Sequence, residues 1–474
     1  MAAYIHRIET VVPETYYEQA FASSLMQRNV DGRDAIKRIL RSIYHNSGIR
    51  KRHSVIRDFA GTNDTPLFFD GNGNKSAPPD TRMRNEVYTK EARKLFVSLA
   101  EKLIRNTPGF DKHDITHIVT VSCTGFFAPG PDYFVVRDLG LSGDIERYHI
   151  GFMGCYAAFQ GLKMARSFCT SHPDAVVLVL CVELCTLHLQ FSDDTDSMIS
   201  ASVFADGGSG ALVSARKPVL KTLEPDNFEP DNFEPDNFEP DNLFKNKIDK
   251  NNLEPSALSN HAGNQAPLAF GSVHSPVDQN SKYAASTGVS RKAEPAPFAP
   301  MEILSLQNAL TDEGEKDMAW TIGNEGFLMK LSTYVPDIIR CNIRPVLDTI
   351  LNNAGISIND IRHWAVHPGG RAILDKVQEA LSLPEQQLAA SRYILREYGN
   401  MSSATILFVL RELSDQHLIK RNHQMQQISE HPAAEQFASE GHEHNTDTGE
   451  ILFAMAFGPG LTIESGLLRF SENP

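Results

Sequence analysis

The sequence Gly151-Phe-Met-Gly-Cys-Tyr-Ala-Ala-Phe-Gln-Gly-Leu-Lys-Met-Ala-Arg166 places a single cysteine between a glycine-rich turn and a helix. Gly151 and Gly154 permit backbone angles that other residues rarely adopt. Cys155 is therefore predicted to lie at a helix N-terminus, where the positive end of the helix dipole favours a thiolate over a thiol. The alternative is a small buried hydrophobic residue, the commonest role of a free cysteine. This stretch alone leaves the two interpretations about equal.

The composition indicates a large globular protein. The chain has 474 residues, of which 41% are hydrophobic, enough for one large core or two fused domains. A net charge of −14 disfavours a nucleic-acid-binding surface. We find no apolar run long enough to span a bilayer and no signal-peptide segment. The six cysteines lack the spacing of a metal site, so we expect reduced thiols, a cytoplasmic location and no metal.

Strands and helices alternate in both the first and the last parts of the chain. Strands are predicted at Tyr4–Val11, Ile115–Ser122, Ala175–Val182, Ala211–Ala215, Trp320–Leu331, Ile361–His367, Glu450–Phe457 and Leu461–Phe470. Helices are predicted at Glu86–Arg105, after Cys155, at Val335–Ala354, at Arg371–Leu381, and from the Asn400 region to about Ser414. This alternation predicts an α/β fold whose sheets are covered by helices.

The middle of the chain lacks this alternation. The unit Glu-Pro-Asp-Asn-Phe runs four times over Glu224–Leu243, with a leucine ending the last copy, and low-complexity sequence continues to about Pro300. A proline at every fifth position forbids a helix, and the isolated phenylalanines form no continuous apolar face. We expect Thr222–Ala299 to be a disordered surface insertion between the halves 1–215 and 301–474. We expect Arg421–Thr448 to be a second loose loop.

Two more residues at element junctions strengthen the interpretation of Cys155 as a nucleophile. His367 ends a strand before Pro-Gly-Gly, and Asn400 lies in Gly-Asn-Met-Ser-Ser before a helix. α/β enzymes place their chemistry at such junctions. A histidine can lower the pKa of the thiol and donate to an oxyanion, and an asparagine amide donates at any pH. Alone, they would be a core histidine and a helix cap.

Four motifs follow one another along the chain: Gly154-Cys-Tyr-Ala-Ala, Trp364-Ala-Val-His-Pro-Gly-Gly, Tyr398-Gly-Asn-Met-Ser-Ser-Ala and Gly458-Pro-Gly-Leu-Thr-Ile-Glu464. In this order they resemble the motifs of the chalcone synthase, or type III polyketide synthase, family. The resemblance covers nearly the whole chain apart from 222–299 and part of 421–448. It implies a thiolase fold of two duplicated halves, layered α-β-α-β-α, in a homodimer. It also implies acyl-CoA and malonyl-CoA as substrates, joined by decarboxylative condensation without a cofactor.

The resemblance also implies roles for individual residues. Cys155, His367 and Asn400 correspond to the family's catalytic residues. Phe204 corresponds to one gatekeeper phenylalanine, and Met329 stands where the family has a second. The positions that line the family's pocket are Thr124, Cys185, His188, Ser200 and Ser402, and those near its coenzyme A phosphate contacts are Arg38 and Arg41. A thioether at Met329, with added bulk at His188 and Ser200, predicts an aliphatic starter and a pyrone or resorcinol product.

Three alternatives to a type III polyketide synthase are open at this point. A ketoacyl-ACP synthase that primes fatty acid synthesis also uses cysteine, histidine and asparagine. A hydroxymethylglutaryl-CoA synthase needs a glutamate near the cysteine, and no motif recognisably supplies one. A non-catalytic scaffold that presents the phenylalanine repeat to a partner would not need the three residues together.

Overall fold

A computed structural model describes residues 2–30, 34–60, 66–70, 75–218, 297–430 and 449–471, with side chains up to residue 423 in the long helix that ends at 430. The elements before residue 218 are β1 Tyr4–Val11, β2 Tyr16–Glu18, α1 Gln19–Asn29, α2 Asp34–His45, β3 Lys51–His53, α3 Thr81–Asn106, β4 His117–Ser122, α4 Pro131–Leu139, β5 Glu146–Gly151, α5 Ala157–Ser171, β6 Val176–Leu184, α6 Thr195–Val203 and β7 Asp206–Ser214. Those after residue 297 are β8 Met301–Leu310, β9 Met318–Gly323, β10 Gly326–Leu331, α7 Val335–Ala354, β11 Ile361–Val366, α8 Arg371–Leu381, α9 Ala389–Tyr398, α10 Thr405–Glu430, β12 Ile451–Gly458 and β13 Thr462–Phe470.

The main sheet of the described residues repeats one pairing pattern. Its strand order is β11-β12-β13-β8-β1-β7-β6-β4-β5. In the first half β1 pairs antiparallel with β7, β7 antiparallel with β6, and β6 parallel with β4. In the second half β8, β13, β12 and β11 pair in the same senses. The halves join where β1 pairs briefly with β8, with Tyr4 opposite Glu302, so the duplicated thiolase topology expected from the sequence is present.

Helices form three layers around the two half-sheets. α5 and α10 pack between them: Phe159 of α5 and Leu407 of α10 share one apolar cluster with Val213 of β7 and Ala454 of β12. α3 covers the outer face of the first half-sheet. α7 and α8 pack together, and their apolar residues share a cluster with those of β11 and β12. The order is α-β-α-β-α, and none of the described helices is long and apolar enough to cross a membrane.

The central strands explain why the sequence predicted them well. Every residue of β6 is buried, and a strand buried on both faces reads as a continuous apolar run. β7 is equally buried, but its first part, 206–210, is polar and glycine-rich, so the sequence predicted only Ala211–Ala215 of it. The predicted strands Tyr4–Val11, Ile115–Ser122 and Ala175–Val182 are confirmed to within two residues at each end.

Three further predictions from the sequence were wrong in extent. The helix predicted at Glu86–Arg105 already begins at Thr81. The helix after Asn400 was predicted to end near Ser414, but α10 continues to Glu430 and includes the start of the predicted loop Arg421–Thr448. Residues 415–423 are half-buried or exposed, and Pro432 is the first proline after Thr405. The predicted strand Trp320–Leu331 is a hairpin of β9 and β10, with Gly326 at a φ of +108°.

The repeat 224–243 lies outside the described residues, so its disorder stays a prediction. The bound at residue 299 is wrong, however, because Phe298 and Ala299 are buried. The N–H of Ala299 donates to Oγ of Ser414 at 2.8 Å. The guanidinium groups of Arg7 and Arg411 lie 5.9 and 5.6 Å from the Phe298 ring centroid. The packed chain therefore resumes before β8.

Candidate active site

The turn before α5 fixes the position of Cys155. α5 begins at Ala157, so the cysteine lies just before a helix N-terminus, as predicted. Gly154 has a φ of +81°, and its N–H donates to Sγ of Cys123 at 3.0 Å. A Cβ on Gly154 would lie 2.4 Å from Cδ of Pro459. Glycine is therefore required here both by the left-handed backbone and by the close approach of the second half of the chain.

Cys155, His367 and Asn400 line one cavity, although Cys155 lies more than two hundred residues before the other two along the chain. The cavity has an empty volume of about 560 Å³ and lies where α5, the end of β11 and the start of α10 meet. Its other lining residues include Cys123, Phe204, Trp320, Met329, Ser402, Phe457 and Pro459. A thiol, an imidazole and an amide thus face a largely apolar space.

The amide of Asn400 has a defined orientation. Its Oδ1 accepts the backbone N–H of Ser402 at 2.8 Å, so Nδ2 lies on the other side, 3.3 Å from the carbonyl oxygen of Gly369. The backbone of Asn400 also bonds to the residues flanking Phe204: its N–H donates to Val203 at 2.8 Å, and its carbonyl accepts from Ala205 at 2.9 Å. These two backbone hydrogen bonds therefore fix the position of Asn400 relative to Phe204.

His367 is buried and has no hydrogen-bond partner on either ring nitrogen among the described residues. Its backbone is fixed, since its N–H donates to the carbonyl of Met455 at 2.8 Å. Burial lowers the pKa of His367 to about 3, so the ring is neutral at pH 7. Because an unpartnered buried polar group is costly, this ring is suited to accept a proton or to bond a ligand atom.

The charge state of Cys155 follows from its burial. Burial raises the pKa of Cys155 to about 11, and this outweighs the lowering effect of hydrogen bonds with Ser402 and Asn400. A Cys155 thiolate without a cationic partner is therefore disfavoured. This corrects the prediction of a stabilised thiolate, which rested on the helix dipole alone. Transfer of the proton to His367 creates two opposite charges at once, and each then stabilises the other.

A second and larger cavity adjoins the first. It has an empty volume of about 890 Å³, and Phe204, Trp320 and Met329 line both cavities and so separate them. Its lining is mostly apolar and comes largely from α1, α6 and β10, with Tyr17, Phe21, Ala22, Leu25, Met26, Tyr44, Leu189, Phe327 and Leu328 among the residues. Of the predicted pocket residues, Cys185, His188 and Ser200 line this larger cavity and Ser402 lines the smaller one.

His188 is rigidly held in the wall of the larger cavity. Its Nε2 lies 2.8 Å from the carbonyl oxygen of Thr124, and its Nδ1 accepts the N–H of Phe327 at 3.0 Å. The ring stacks on Phe327 with centroids 4.2 Å apart. Burial lowers the pKa of His188 to about 3. This histidine is therefore neutral and acts as a fixed wall.

Three predicted site residues do not line either cavity. Thr124 is buried, and its hydroxyl donates to Glu183 at 2.9 Å and accepts the N–H of Leu184 at 2.9 Å, so its place in the pocket stays a prediction. Arg38 and Arg41 are exposed on α2, where Arg41 donates to Gln27 at 3.0 Å. Their contact with coenzyme A stays a prediction.

Neither Glu183 nor the wall that α1 contributes to the larger cavity was predicted from the sequence. The fully buried carboxylate of Glu183 accepts hydrogen bonds from the N–H of Cys123 and the hydroxyl of Thr124, both at 2.9 Å. Burial raises its pKa, and its charge helps to raise that of Cys155. A single acid in the apolar run of β6 was the available signal. Since it lines neither cavity, Glu183 supports the wall behind the thiol.

Comparisons with known proteins agree with this geometry. Residues 2–217 match the family described as "Chalcone and stilbene synthases, N-terminal domain", and residues 302–471 match its C-terminal domain. "Alpha-pyrone synthesis polyketide synthase-like Pks18" of Mycobacterium tuberculosis is 25% identical over 390 residues, covering 82% of this chain and 74% of that protein.

Solved structures are also similar. PKS-I from the brown alga Ectocarpus siliculosus superposes with a TM-score of 0.71 at 26% identity, covering 99% of this chain and 98% of that one. The C-terminal type III polyketide synthase domain of Steely1 from Dictyostelium gives a TM-score of 0.67 at 21% identity, covering 100% of each chain, and supports the fold alone. Because the family matches span both halves, the chain belongs to the chalcone and stilbene synthase family and is an acyltransferase of the type III polyketide synthase class.

Proposed function

We propose that Cys155 carries the growing chain while His367 and Asn400 stabilise the oxyanions of each step. The observation that carries this assignment is the meeting of a thiol, an unpartnered imidazole and an oriented amide at one cavity. In loading, the Cys155 proton passes to His367, and the thiolate attacks the carbonyl carbon of an acyl-CoA. The carbonyl oxygen becomes an oxyanion that accepts hydrogen bonds from His367 and from Nδ2 of Asn400. Coenzyme A leaves and takes the proton from His367.

Chain extension uses the same donors. The carboxylate of malonyl-CoA is poorly solvated beside Phe204 and Phe457, whereas neutral CO2 is not, so the cavity favours decarboxylation. The electron pair left by the broken C–C bond forms an enolate, whose oxygen accepts hydrogen bonds from Asn400 and His367. The enolate carbon attacks the thioester on Cys155, which returns the sulfur to its free form for the next loading. No step needs a cofactor.

The direct test is Cys155→Ala with a starter acyl-CoA and malonyl-CoA. Intact-protein mass spectrometry should show an acyl adduct on the wild-type enzyme only, and the variant should form no extended product. An adduct that persists in Cys155→Ala would assign the chemistry to another thiol. A non-catalytic scaffold would show neither an adduct nor CO2 release from malonyl-CoA.

We propose further that the larger cavity takes the tail of an aliphatic starter, with a pyrone or resorcinol as product. Its lining is mostly apolar, and several of its polar side chains are already hydrogen-bonded within the protein: Arg52 donates to the carbonyls of Ala201 and Phe204, Thr186 donates to Asp206, and the hydroxyl of Ser200 lies 3.5 Å from the carbonyl of Met329. The flexible thioether of Met329 is one of the side chains that separate the larger cavity from the smaller one. The relative Pks18 is described as an alpha-pyrone synthase, which accords with this product class.

Chain-length selectivity tests the assignment of the larger cavity. Ala22→Phe adds bulk inside it and should shorten the longest acyl-CoA that is turned over, without changing malonyl-CoA decarboxylation. Ala20→Phe is the matched control, since Ala20 lies on the exposed face of the same helix. A higher kcat/KM for coumaroyl-CoA than for a medium-chain fatty acyl-CoA, with a chalcone as product, would overturn the aliphatic proposal.

We assign Arg38 and Arg41 to the phosphates of coenzyme A. Both are exposed on α2, the helix whose Tyr44 lines the larger cavity. The double variant Arg38→Ala, Arg41→Ala should raise KM for an acyl-CoA. It should leave KM unchanged for the same acyl group on N-acetylcysteamine, which has no phosphates. Equal changes in both would contradict phosphate binding.

A homodimer in the cytoplasm completes the proposal. β5 is an edge strand of the sheet, and the exposed rings of Phe126 and Phe152 lie beside each other at its end. Such an edge and apolar patch suit pairing with a second copy. All six cysteines are free, which suits a reducing compartment. Light scattering should give a dimer mass, and Phe126→Asp should reduce it to that of the monomer.

A further inference from the structure

Three potential metal ligands meet away from the two cavities. They are His363 on β11, His417 on α10 and Glu450 just before β12. Nε2 of His363 lies 2.6 Å from Oε2 of Glu450, and Nδ1 of His417 lies 3.2 Å from the same oxygen. The three ligand atoms all lie within 4.8 Å of one another. None of these residues lines either cavity.

The two imidazoles are packed before any ion binds. The Phe470 ring stacks on His417 with centroids 4.1 Å apart and meets His363 edge-on at 5.1 Å. The side chains of His363 and His417 are only 10% and 11% exposed, whereas Glu450 is 47% exposed. Ring packing therefore holds Nε2 of His363 and Nδ1 of His417 close to the same oxygen of Glu450. The carboxylate of Glu450 itself remains open to water.

We propose that His363, His417 and Glu450 form a binding site for a divalent transition metal of the zinc class. Two imidazoles and one carboxylate are ligands that zinc accepts, with bonds of about 2.0–2.2 Å. Calcium and magnesium prefer sites built from oxygen. Tetrahedral bonds of this length place ligand atoms roughly 3–3.5 Å apart, so small side-chain rotations suffice, and water takes the fourth position. This replaces the expectation, drawn from cysteine spacing, that the chain holds no metal.

The site joins the elements that position the catalytic residues. His363 lies on β11, four residues before His367, which directly follows the strand, and His417 lies on the helix that follows Asn400. Glu450 leads into β12, whose Met455 carbonyl accepts the N–H of His367. A metal here would fasten β11, α10 and β12 together, so its role is structural, and the condensation chemistry does not use it.

Zinc titration of the metal-free enzyme tests the proposal, with Cys155→Ala as background because the active-site thiol can itself bind zinc. After treatment with a chelator, zinc is added in competition with a chromophoric chelator. The background protein should bind one zinc tightly and should gain a higher Tm. His363→Gln, His417→Gln and Glu450→Gln should each weaken binding at least 10-fold and remove the Tm gain. Glu450→Gln replaces the carboxylate by a neutral amide of the same shape at an exposed position. This variant therefore remains informative if a histidine variant misfolds.

His172→Gln is the matched control, since this exposed histidine belongs to no such cluster, and it should bind zinc like the background protein. A further variant replaces His431, His442 and His444 by glutamine and should also retain the zinc. Absence of a tight zinc site in the background protein would overturn the proposal. So would binding that survives the His363 and Glu450 variants, or that is lost with the three downstream histidines.

Discussion

At the scale of single residues, the proposed mechanism starts from a neutral Cys155 and a neutral His367, which become charged together. Burial disfavours either charge alone, raising the pKa of Cys155 to about 11 and lowering that of His367 to about 3. Proton transfer between them keeps the net charge of the cavity constant. The nucleophile therefore depends on the histidine more than on the helix dipole.

Removal of the histidine should expose this dependence. In His367→Ala the thiolate of Cys155 has no cationic partner, so the pH midpoint of its alkylation should lie above that of the wild-type enzyme. The rate of iodoacetamide labelling at Cys155, measured against pH by peptide mass spectrometry, gives the midpoint. Cys341 is exposed and serves as the internal reference in the same samples. An unchanged midpoint would show that His367 does not control the thiol.

The amide of Asn400 accepts a hydrogen bond from Ser402 through Oδ1, and we propose that it donates one to the enolate through Nδ2. Two variants separate these roles. Asn400→Ala removes both, whereas Asn400→Asp keeps an acceptor for the N–H of Ser402 and cannot donate to an enolate. Both should slow malonyl-CoA decarboxylation by about 10²–10³, the usual effect of losing one preorganised donor. The alanine variant should lower Tm through the lost acceptor, and the aspartate variant through its buried carboxylate, which faces the carbonyl oxygen of Gly369. Decarboxylation at the wild-type rate in Asn400→Asp would remove the assigned role.

At the scale of elements, the turn that carries Cys155 joins the two halves of the chain. Gly154 approaches Pro459, which follows β12, so the nucleophile and the second half are built against each other. The pairing of Asn400 with the segment around Phe204 is a second junction of this kind. Each half therefore holds part of the active site of the other.

Two glycines with the same backbone angle test this junction. Gly154→Ala and Gly109→Ala both place an alanine at a φ of +81°, with a strain of about 1–2 kcal/mol. Only at Gly154 would the new Cβ clash, since nothing lies within 4 Å of one at Gly109. Gly154→Ala should therefore lower the Tm in thermal melting more than Gly109→Ala does. It should also abolish nearly all acyl-adduct formation, whereas Gly109→Ala should remain active. Equal effects of the two changes would mean that the contact with Pro459 is unimportant.

At the scale of the whole molecule, the long segment between the halves leaves the sheet at β7 and re-enters it at β8, the two strands that flank β1. Ser214 at the end of β7 is paired with Tyr4 of β1, and Tyr4 is paired with Glu302 of β8. Two strand spacings amount to about 10 Å. A short connection can therefore replace the segment without straining either half.

Replacement of residues 219–296 by a short Gly/Ser linker should keep the fold, the Tm and the basal activity. A second variant that also removes 297–299 should be less stable, because Phe298 and Ala299 pack on Arg7, Arg411 and Ser414. Circular dichroism melting and product formation compare the two. Insolubility or lost turnover of the first variant would show that the removed segment contributes to the folded core.

The sequence alone determined the α/β class, the buried strands β1, β4 and β6, the catalytic residue types and the family, because each of these is written in local periodicity or in a short motif. Tertiary structure decided everything that depends on residues brought together from distant positions. Examples are the partition at Phe204 and Met329, the wall supplied by α1, the enclosure of Thr124 by Glu183, and the meeting of His363, His417 and Glu450. The extent of α10 also required the structure, because a polar helix has no apolar periodicity to mark its second half. The pKa of Cys155 required it too, since burial in the assembled cavity, which no local pattern records, outweighs the helix terminus that the sequence shows.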